Sequence, residues 1–163
     1  MKIQNKKDGI GTIGDREIER TNALTLISDS KEYYDYYLRG KPDTRADINK
    51  VSYFLLMRSL ELSLKAMVKI REGLPINEIK NKYSHNVFRI YSYCVDKKYI
   101  KSDGKEEGLA IEILSDFYKL KDFEYTKVGY KSLPKLFYII NLLERVYVEF
   151  NSITQNTKLQ KYL

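Results

Sequence analysis

The chain has 163 residues, of which 43% are hydrophobic and 31% charged, and its net charge at pH 7 is +7. This length and balance are typical of one globular domain that buries an apolar core, and they argue against a disordered chain. No apolar run approaches the ~18 residues that span a bilayer, and the N-terminal segment lacks the apolar stretch of a signal peptide. The composition therefore predicts a cytoplasmic protein without a membrane segment.

The chain has one cysteine, Cys94, and one histidine, His85, which restricts the disulfide, metal-binding and catalytic chemistry open to it. A lone cysteine excludes an internal disulfide and a thiolate zinc site, and Cys94 lies in an apolar stretch typical of a buried residue. The sequence also contains no phosphate-binding loop, dinucleotide fingerprint, nucleophile elbow or EF-hand loop. We therefore expect no metal site and no cofactor.

The N-terminal part of the chain divides into an arm and a first helix. Residues 1–15 are glycine-rich and predict a flexible arm, which leaves residues 16–163 as a single domain. Apolar residues at helical spacing predict a helix over residues 17–39, ended by the glycine and proline that follow. A break is expected at residues 28–30, where serine and aspartate side chains compete for backbone hydrogen bonds.

Four further helices are predicted downstream. Thr44 approximates the start of a capping box for a long helix that runs to about Glu72 and is apolar on two sides, which indicates a central position. Ser84 is the predicted N-cap of a third helix, and a fourth covers about residues 106–121. Ser132 is the predicted cap of a fifth helix, which is expected to break after Phe150. No strand-like alternation extends beyond a few residues, so we predict an all-α antiparallel up-and-down bundle of four to five helices.

A short pattern in the middle of the chain resembles the HEPN superfamily of helical nucleotide-binding domains. Members carry Glu-x-x-x-Lys-Ala on one helix, then a turn ended by glycine, then Ser/Thr-His-Asp/Asn at the start of the next helix. The matching residues here are Glu61, Lys65, Ala66, Gly73, Ser84, His85, Asn86 and Val87. The resemblance implies a compact HEPN-like helical bundle.

One departure from the family bears on activity. Ribonuclease members carry an arginine followed after four to six residues by a histidine, near the last helix. Here the arginine that precedes His85 most closely is Arg71, and the last helix has no histidine. The resemblance therefore implies a module that lacks the usual nuclease site, and we expect no catalysis of that kind.

The matched residues also suggest a polar site. Glu61 and Lys65 are four residues apart and form a helix-surface pair, with Arg58 on the same face. Glu61 could accept a hydrogen bond from His85 and fix its tautomer, which makes Arg58, Glu61 and His85 the candidate catalytic residues. The alternative is an ordinary ion pair beside a histidine at a helix start. The predicted ligand-binding residues are His85, Glu61, Lys65, Lys82 and Arg89.

Most of the excess positive charge lies in the middle third of the chain. Residues 41–103 contain thirteen basic and seven acidic side chains. Lysines and tyrosines alternate there, as in surfaces that hold a nucleic-acid backbone and stack its bases. The predicted nucleic-acid surface comprises Lys80, Lys97, Lys98, Lys101, Tyr83 and Tyr99, with Tyr91 and Tyr93 interleaved. The alternative is that the tyrosines pack in the core while the lysines face water.

Two adjacent tyrosine pairs in the first helix, Tyr33–Tyr34 and Tyr36–Tyr37, predict a self-association surface, because neighbouring helical residues point in different directions and cannot all be buried. The sequence thus predicts a non-catalytic HEPN-like binding or interaction module that forms a homodimer. It would contact RNA, a nucleotide or a nucleotidyltransferase-type protein in a bacterial defence or toxin–antitoxin system. The alternatives are a ribonuclease-like phosphodiester enzyme that uses His85, and a protein-interaction scaffold.

Overall fold

A computed structural model describes residues 13–40, 50–123 and 133–159, with side chains described over 22–40, 50–123 and 133–156. These residues form six helices and no strand, which confirms the predicted all-α class for the described part of the chain. The helices are α1 (Ile13–Arg39), α2 (Lys50–Glu72), α3 (Ile76–Tyr83), α4 (Val87–Asp96), α5 (Lys105–Lys119) and α6 (Phe137–Leu159). The count exceeds the predicted four to five because Ile76–Tyr83 form a separate helix, α3, between the second and third predicted helices. No described helix is long and apolar enough to cross a membrane.

The first helix is continuous, so the predicted break at residues 28–30 is wrong. The buried Ser30 hydroxyl donates to the Ser59 carbonyl of α2 at 2.7 Å, and the Ser59 hydroxyl donates back to the Ser30 carbonyl at 2.8 Å. Because the Ser30 hydroxyl is bonded to α2, it does not compete for the backbone hydrogen bonds of α1. The interruption expected at residues 28–30 therefore does not occur. The helix begins at Ile13, so residues 13–15 of the predicted arm are helical; residues 1–12 lie outside the description.

The centre of the molecule is α2, as its two apolar sides predicted. Every residue from 61 to 69 is buried, and α2 packs against each of the other five helices. The core that surrounds it includes Leu56, Leu60, Leu64 and Met67, all without solvent exposure. A helix in this position brings its polar residues into the interior with the apolar ones, and this determines where the site lies.

The turns around α3 differ from the sequence-based prediction. Ser84 is the C-cap of α3, not the N-cap of α4, and it has a positive φ of 48°. Its place as N-cap is taken by Asn86, whose side chain accepts from the Arg89 amide at 3.0 Å. The consequence is a sharp, three-residue connection that carries His85 between the ends of two helices.

Glu107 is a buried carboxylate on α5 that joins this helix to α4 and α6. It accepts from the Tyr91 hydroxyl at 3.0 Å and pairs with Arg145 of α6. The expected break after Phe150 is absent, because Thr154 donates to the Phe150 carbonyl one turn earlier and remains within the helix. The predicted caps Thr44 and Ser132 lie outside the described residues.

Candidate anion-binding site around Glu61

Glu61 is fully buried and forms the centre of the site. One oxygen accepts from Lys65 Nζ at 2.5 Å and from His85 Nδ1 at 3.1 Å. The other accepts from the Tyr118 hydroxyl at 2.6 Å and from an Arg58 guanidinium nitrogen at 3.0 Å. The carboxylate thus has a partner on every side, and it holds four side chains from three parts of the chain in fixed positions.

Local geometry explains most of this convergence. Arg58, Glu61 and Lys65 occupy positions i−3, i and i+4 of α2, which lie on one face of a helix. His85 reaches them because the α3–α4 connection runs past this face. The Lys65 ammonium group also donates to the Ser84 carbonyl at 2.7 Å, which ties the connection to α2.

Electrostatics favour the charged form of Glu61. Burial alone would raise the pKa of this carboxyl, but the hydrogen bond and charge of Lys65, the Tyr118 hydrogen bond and the Arg58 charge outweigh it, so its pKa is lowered. Burial, followed by the Glu61 charge, raises the pKa of the Tyr118 hydroxyl. Burial lowers the Arg58 pKa, but Glu61 and Tyr118 more than reverse this, and its net shift is upward. The site therefore contains an ionised carboxylate beneath a charged arginine and lysine.

The imidazole of His85 lies at the outer edge of this network. Its side chain is 60% exposed, and its ring stands edge-on to Tyr118 at a centroid distance of 6.2 Å. Because Nδ1 faces a carboxylate, the neutral ring carries its proton on Nδ1 and leaves Nε2 as an acceptor. No group in the described part of the chain is hydrogen-bonded to Nε2. This nitrogen is therefore available to a ligand.

A cavity of about 240 Å³ opens beside the network. Its lining consists of Leu26, Arg58, Glu61, Leu62, Lys65, Lys80, Ser84 and His85. We call this cavity the Glu61 pocket. Its wall is partly apolar, while the groups able to meet a ligand at its mouth are cationic or imidazole. Glu61 itself is occupied by its partners, so the pocket suits an anion with an apolar portion.

The structure divides the predicted ligand-binding residues into two groups. His85, Glu61 and Lys65 share the Glu61 pocket, together with the catalytic candidate Arg58 and with Lys80 from the predicted nucleic-acid surface. Lys82 and Arg89 do not line this pocket. They lie over tyrosine rings on the outer side of α3 and α4.

That second group forms an array that we call the tyrosine–cation face. Tyr83 and Tyr93 have ring centroids 5.7 Å apart, and Lys82 Nζ lies 5.2 Å and 4.6 Å from them. Lys97 Nζ is 5.7 Å from the Tyr93 ring, and the Arg89 guanidinium is 6.0 Å from the Tyr83 ring. These contacts gather the exposed Lys82, Arg89 and Lys97 around the two rings. Tyr83 itself is buried in the core, so its predicted place on a nucleic-acid surface is wrong.

The remaining surface candidates have different surroundings. Tyr91, expected beside the lysines, is buried against Glu107. Tyr99 continues the aromatic row at 6.4 Å from Tyr93 and donates to Glu72 at 3.0 Å. Lys98 and Lys101 are exposed, and Lys101 lines a wide groove of about 500 Å³ that also contains Arg145 and Glu149.

Sequence reasoning missed Tyr118, which bonds directly to Glu61. It lies 57 residues further along the chain in a different helix, so spacing carries no indication of the contact. It also missed the positive φ of Ser84, because a serine gives no sign of that conformation. No group of three histidine, cysteine, aspartate or glutamate side chains that could hold a metal ion occurs among the described residues.

Comparisons with protein-family models, with curated proteins and with solved structures found no match to this chain. The HEPN resemblance therefore depends on the residues of the chain alone. Of these, Glu61, Lys65 and His85 contact one another in the folded protein.

Proposed function

We propose that the chain is a HEPN-like up-and-down helical bundle that acts as a non-catalytic binding module for a phosphate-bearing ligand, RNA or a nucleotide. The observation that carries this proposal is the mouth of the Glu61 pocket, where Arg58, Lys80 and His85 surround one cavity. Guanidinium and ammonium groups are the usual protein partners of phosphate, and Glu61 holds Arg58 and His85 in place before a ligand arrives.

A binding role accounts for the site more simply than catalysis does. Glu61 already accepts hydrogen bonds from four side chains, so it is not available as a base. The arginine–histidine spacing of the ribonuclease members is absent from the sequence. We therefore assign His85 to ligand contact, in a cytoplasmic module of a bacterial defence or toxin–antitoxin system.

Binding of a nucleotide tests this proposal directly. Adenosine monophosphate and a short 5′-phosphorylated oligouridylate are titrated by calorimetry into wild type, Lys80→Gln and His85→Gln, with Lys119→Gln as the charge-matched control for Lys80→Gln. Lys80→Gln should weaken binding by about tenfold, the effect of one lost charge-assisted hydrogen bond to phosphate. His85→Gln should weaken it by about threefold, because the neutral ring offers Nε2 as an acceptor to a ligand hydroxyl and not to the phosphate. Equal affinities in all four proteins would contradict the proposal.

One feature of the same geometry favours a second candidate function, the cleavage of a phosphodiester. The carboxylate behind Nδ1 leaves Nε2 of His85 as a proton acceptor at the pocket mouth, and the Arg58 guanidinium is positioned to offset negative charge. In that reaction Nε2 would take the proton of an RNA 2′-hydroxyl as its oxygen attacks the adjacent phosphorus and expels the 5′-oxygen. Metal-free cleavage that His85→Ala abolishes would replace the binding proposal with this one.

We also propose that the module forms a homodimer and partners a nucleotidyltransferase-type protein. On α1, Tyr37 is buried while Tyr36 is 59% exposed, and Leu24 and Leu38 are exposed on the same helix. Exposed large apolar side chains of this kind are common where a second subunit packs. Sedimentation of wild type and Tyr36→Ser tests the homodimer. The wild type should sediment as a dimer and Tyr36→Ser should associate more weakly, whereas a monomeric wild-type protein contradicts the proposal.

A further inference from the structure

We propose that the tyrosine–cation face binds single-stranded RNA, with Lys82, Arg89 and Lys97 held by tyrosine rings as contacts to successive phosphates. This inference rests on the proposed function, because it names single-stranded RNA as the class of ligand and gives its path. It does not require that the Glu61 pocket be catalytic.

The first supporting observation is the pairing of the basic side chains. Several cations are ion-paired: Arg58 and Lys65 share the Glu61 carboxylate, Arg71 pairs with Glu149, and Arg145 pairs with Glu107. Lys82, Arg89 and Lys97 are exposed, and within the described ranges none of them has a carboxylate partner. The charges of these three neighbouring side chains therefore remain available to a polyanion.

The second observation is that aromatic rings position these cations. Lys82 and Lys97 lie 4.6 Å and 5.7 Å from the centroid of the same Tyr93 ring, so their ammonium groups are within about 10 Å of each other. A lysine on an open surface loses considerable side-chain freedom when it binds a phosphate. Cation–π contacts restrict that freedom beforehand, which lowers the entropic cost of binding.

The third observation favours a single strand. Tyr93 and Tyr99 are half-buried, with ring centroids 6.4 Å apart, whereas the neighbouring Tyr83 is buried. Aromatic rings can stack only on bases that are not already stacked in a duplex, so the two partly exposed rings fit single-stranded RNA better than a double helix.

The position of α3 connects this face to the Glu61 pocket. Lys80 lines the pocket, and Lys82 lies two residues later on the same helix with its ammonium over Tyr93. Positions two apart on a helix differ by about 200° around its axis, so a strand that occupied both sites would pass around α3.

Salt dependence of binding tests the role of the cations. Fluorescence anisotropy with a labelled oligouridylate compares wild type with Lys82→Gln/Arg89→Gln/Lys97→Gln. The control, Lys31→Gln/Lys105→Gln/Lys119→Gln, removes the same charge elsewhere, including a lysine over the Tyr147 ring. The face variant should bind at least about tenfold more weakly, and its log–log salt slope should be smaller by about 2, at roughly 0.7 per lost phosphate contact on a single strand. Equal effects in the face and control variants would overturn the proposal.

A second pair of variants tests the ring. Tyr93→Phe keeps the ring and removes the hydroxyl, and it should bind RNA as wild type does. Tyr93→Leu should weaken binding by about tenfold, because it removes the ring that positions Lys82 and Lys97. Phe137→Leu is the control for loss of an exposed ring elsewhere. If Tyr93→Leu does not fold, as thermal unfolding would show, the three-cation variant alone decides, because its side chains are exposed.

The same titrations separate this inference from the proposed function. Loss of binding in the face variant but not in Lys80→Gln or His85→Gln would support the face and contradict the pocket. The reverse result would contradict the face and leave the pocket. Tighter binding to duplex RNA, or to phosphatidylserine vesicles, than to the single strand would overturn the face as a single-strand site. A wild-type protein that binds no RNA would overturn the face, and one that binds neither RNA nor adenosine monophosphate would overturn both proposals.

Discussion

At the scale of single residues, Glu61 shows how one buried charge can organise a site. A carboxylate without solvent is costly unless every lone pair is used, and here Lys65, His85, Tyr118 and Arg58 use them. Removing the charge would leave Lys65, itself buried, without its anion. The stability of the bundle and the order of the pocket therefore depend on the same group.

We predict that Glu61→Gln lowers the free energy of unfolding by roughly 3–5 kcal/mol, the cost of breaking a buried pair. The wild-type protein should also lose stability as the pH falls below about 4.5, the ordinary pKa of this carboxyl, because the unfolded chain takes up the proton first. That contribution is complete above this pH and disappears as the pH falls through the lower pKa of the folded state. Urea unfolding from pH 7 to pH 3 measures both effects, with the exposed Glu112→Gln as the control; a Glu61→Gln protein as stable as wild type at pH 7 would refute the prediction.

Cys94 gives a second prediction at this scale. Its side chain is fully buried, and burial, with a smaller effect of the Glu72 charge, raises the pKa of the thiol to about 12. The thiol is therefore neutral at pH 8, and iodoacetamide should label the native protein at least about a hundredfold more slowly than the protein in urea. Mass spectrometry of the intact chain measures this, and rapid labelling of the native protein would show that Cys94 is accessible.

At the scale of elements, a cluster of hydroxyl groups fastens three helices together. Ser30 of α1, Ser59 of α2 and Tyr147 of α6 have oxygens within 3.1 Å of one another. Serines have small side chains, so they allow α1 and α2 to approach closely, and the reciprocal serine-to-carbonyl bonds then hold the pair. Hydroxyls buried in this way are satisfied only when all three helices are in place.

We expect Tyr147→Phe and Ser59→Ala each to lower the free energy of unfolding by about 1 kcal/mol, the net value of a buried hydrogen bond. The double variant should cost less than the sum of the two, because both remove the same contact. Chemical denaturation of the four proteins in the cycle measures the coupling, with Tyr138→Phe, which removes an exposed hydroxyl bonded to Glu106, as the control. Strict additivity would show that the hydroxyls act independently.

At the scale of the whole molecule, one core joins all six helices. Ile27, Leu56, Ile79, Ile90, Leu114 and Leu143 represent the six helices within a single buried cluster. Because α2 contacts every other helix, loss of its packing would expose apolar surface throughout the described bundle. The predicted single domain should therefore behave as one cooperative unit.

We predict that far-ultraviolet circular dichroism and tyrosine fluorescence report the same thermal transition. The chain has fifteen tyrosines and no tryptophan, so tyrosine emission samples several helices at once. Coincident curves are the mark of two-state unfolding in a domain of this size. Two separated transitions would indicate that part of the chain unfolds independently.

The sequence by itself determined the helical class, the central position of α2 and the local part of the site. Helical spacing places Arg58, Glu61 and Lys65 on one face wherever that helix lies, and a helix apolar on two sides must be surrounded. The turn that carries His85 was located, although its cap was assigned to Ser84 instead of Asn86. Both residues are good caps, and only the backbone conformation decides between them.

Only the tertiary structure decided which distant groups complete each cluster. Tyr118 reaches Glu61 across 57 residues, and Tyr91, on the apolar side of its helix, bonds to Glu107 of a different helix. Ser30 was expected to interrupt α1, and it in fact joins α1 to α2 through Ser59. The physical reason is the same in each case: side-chain spacing along a helix follows from its geometry, whereas contacts between helices depend on how the apolar faces pack together.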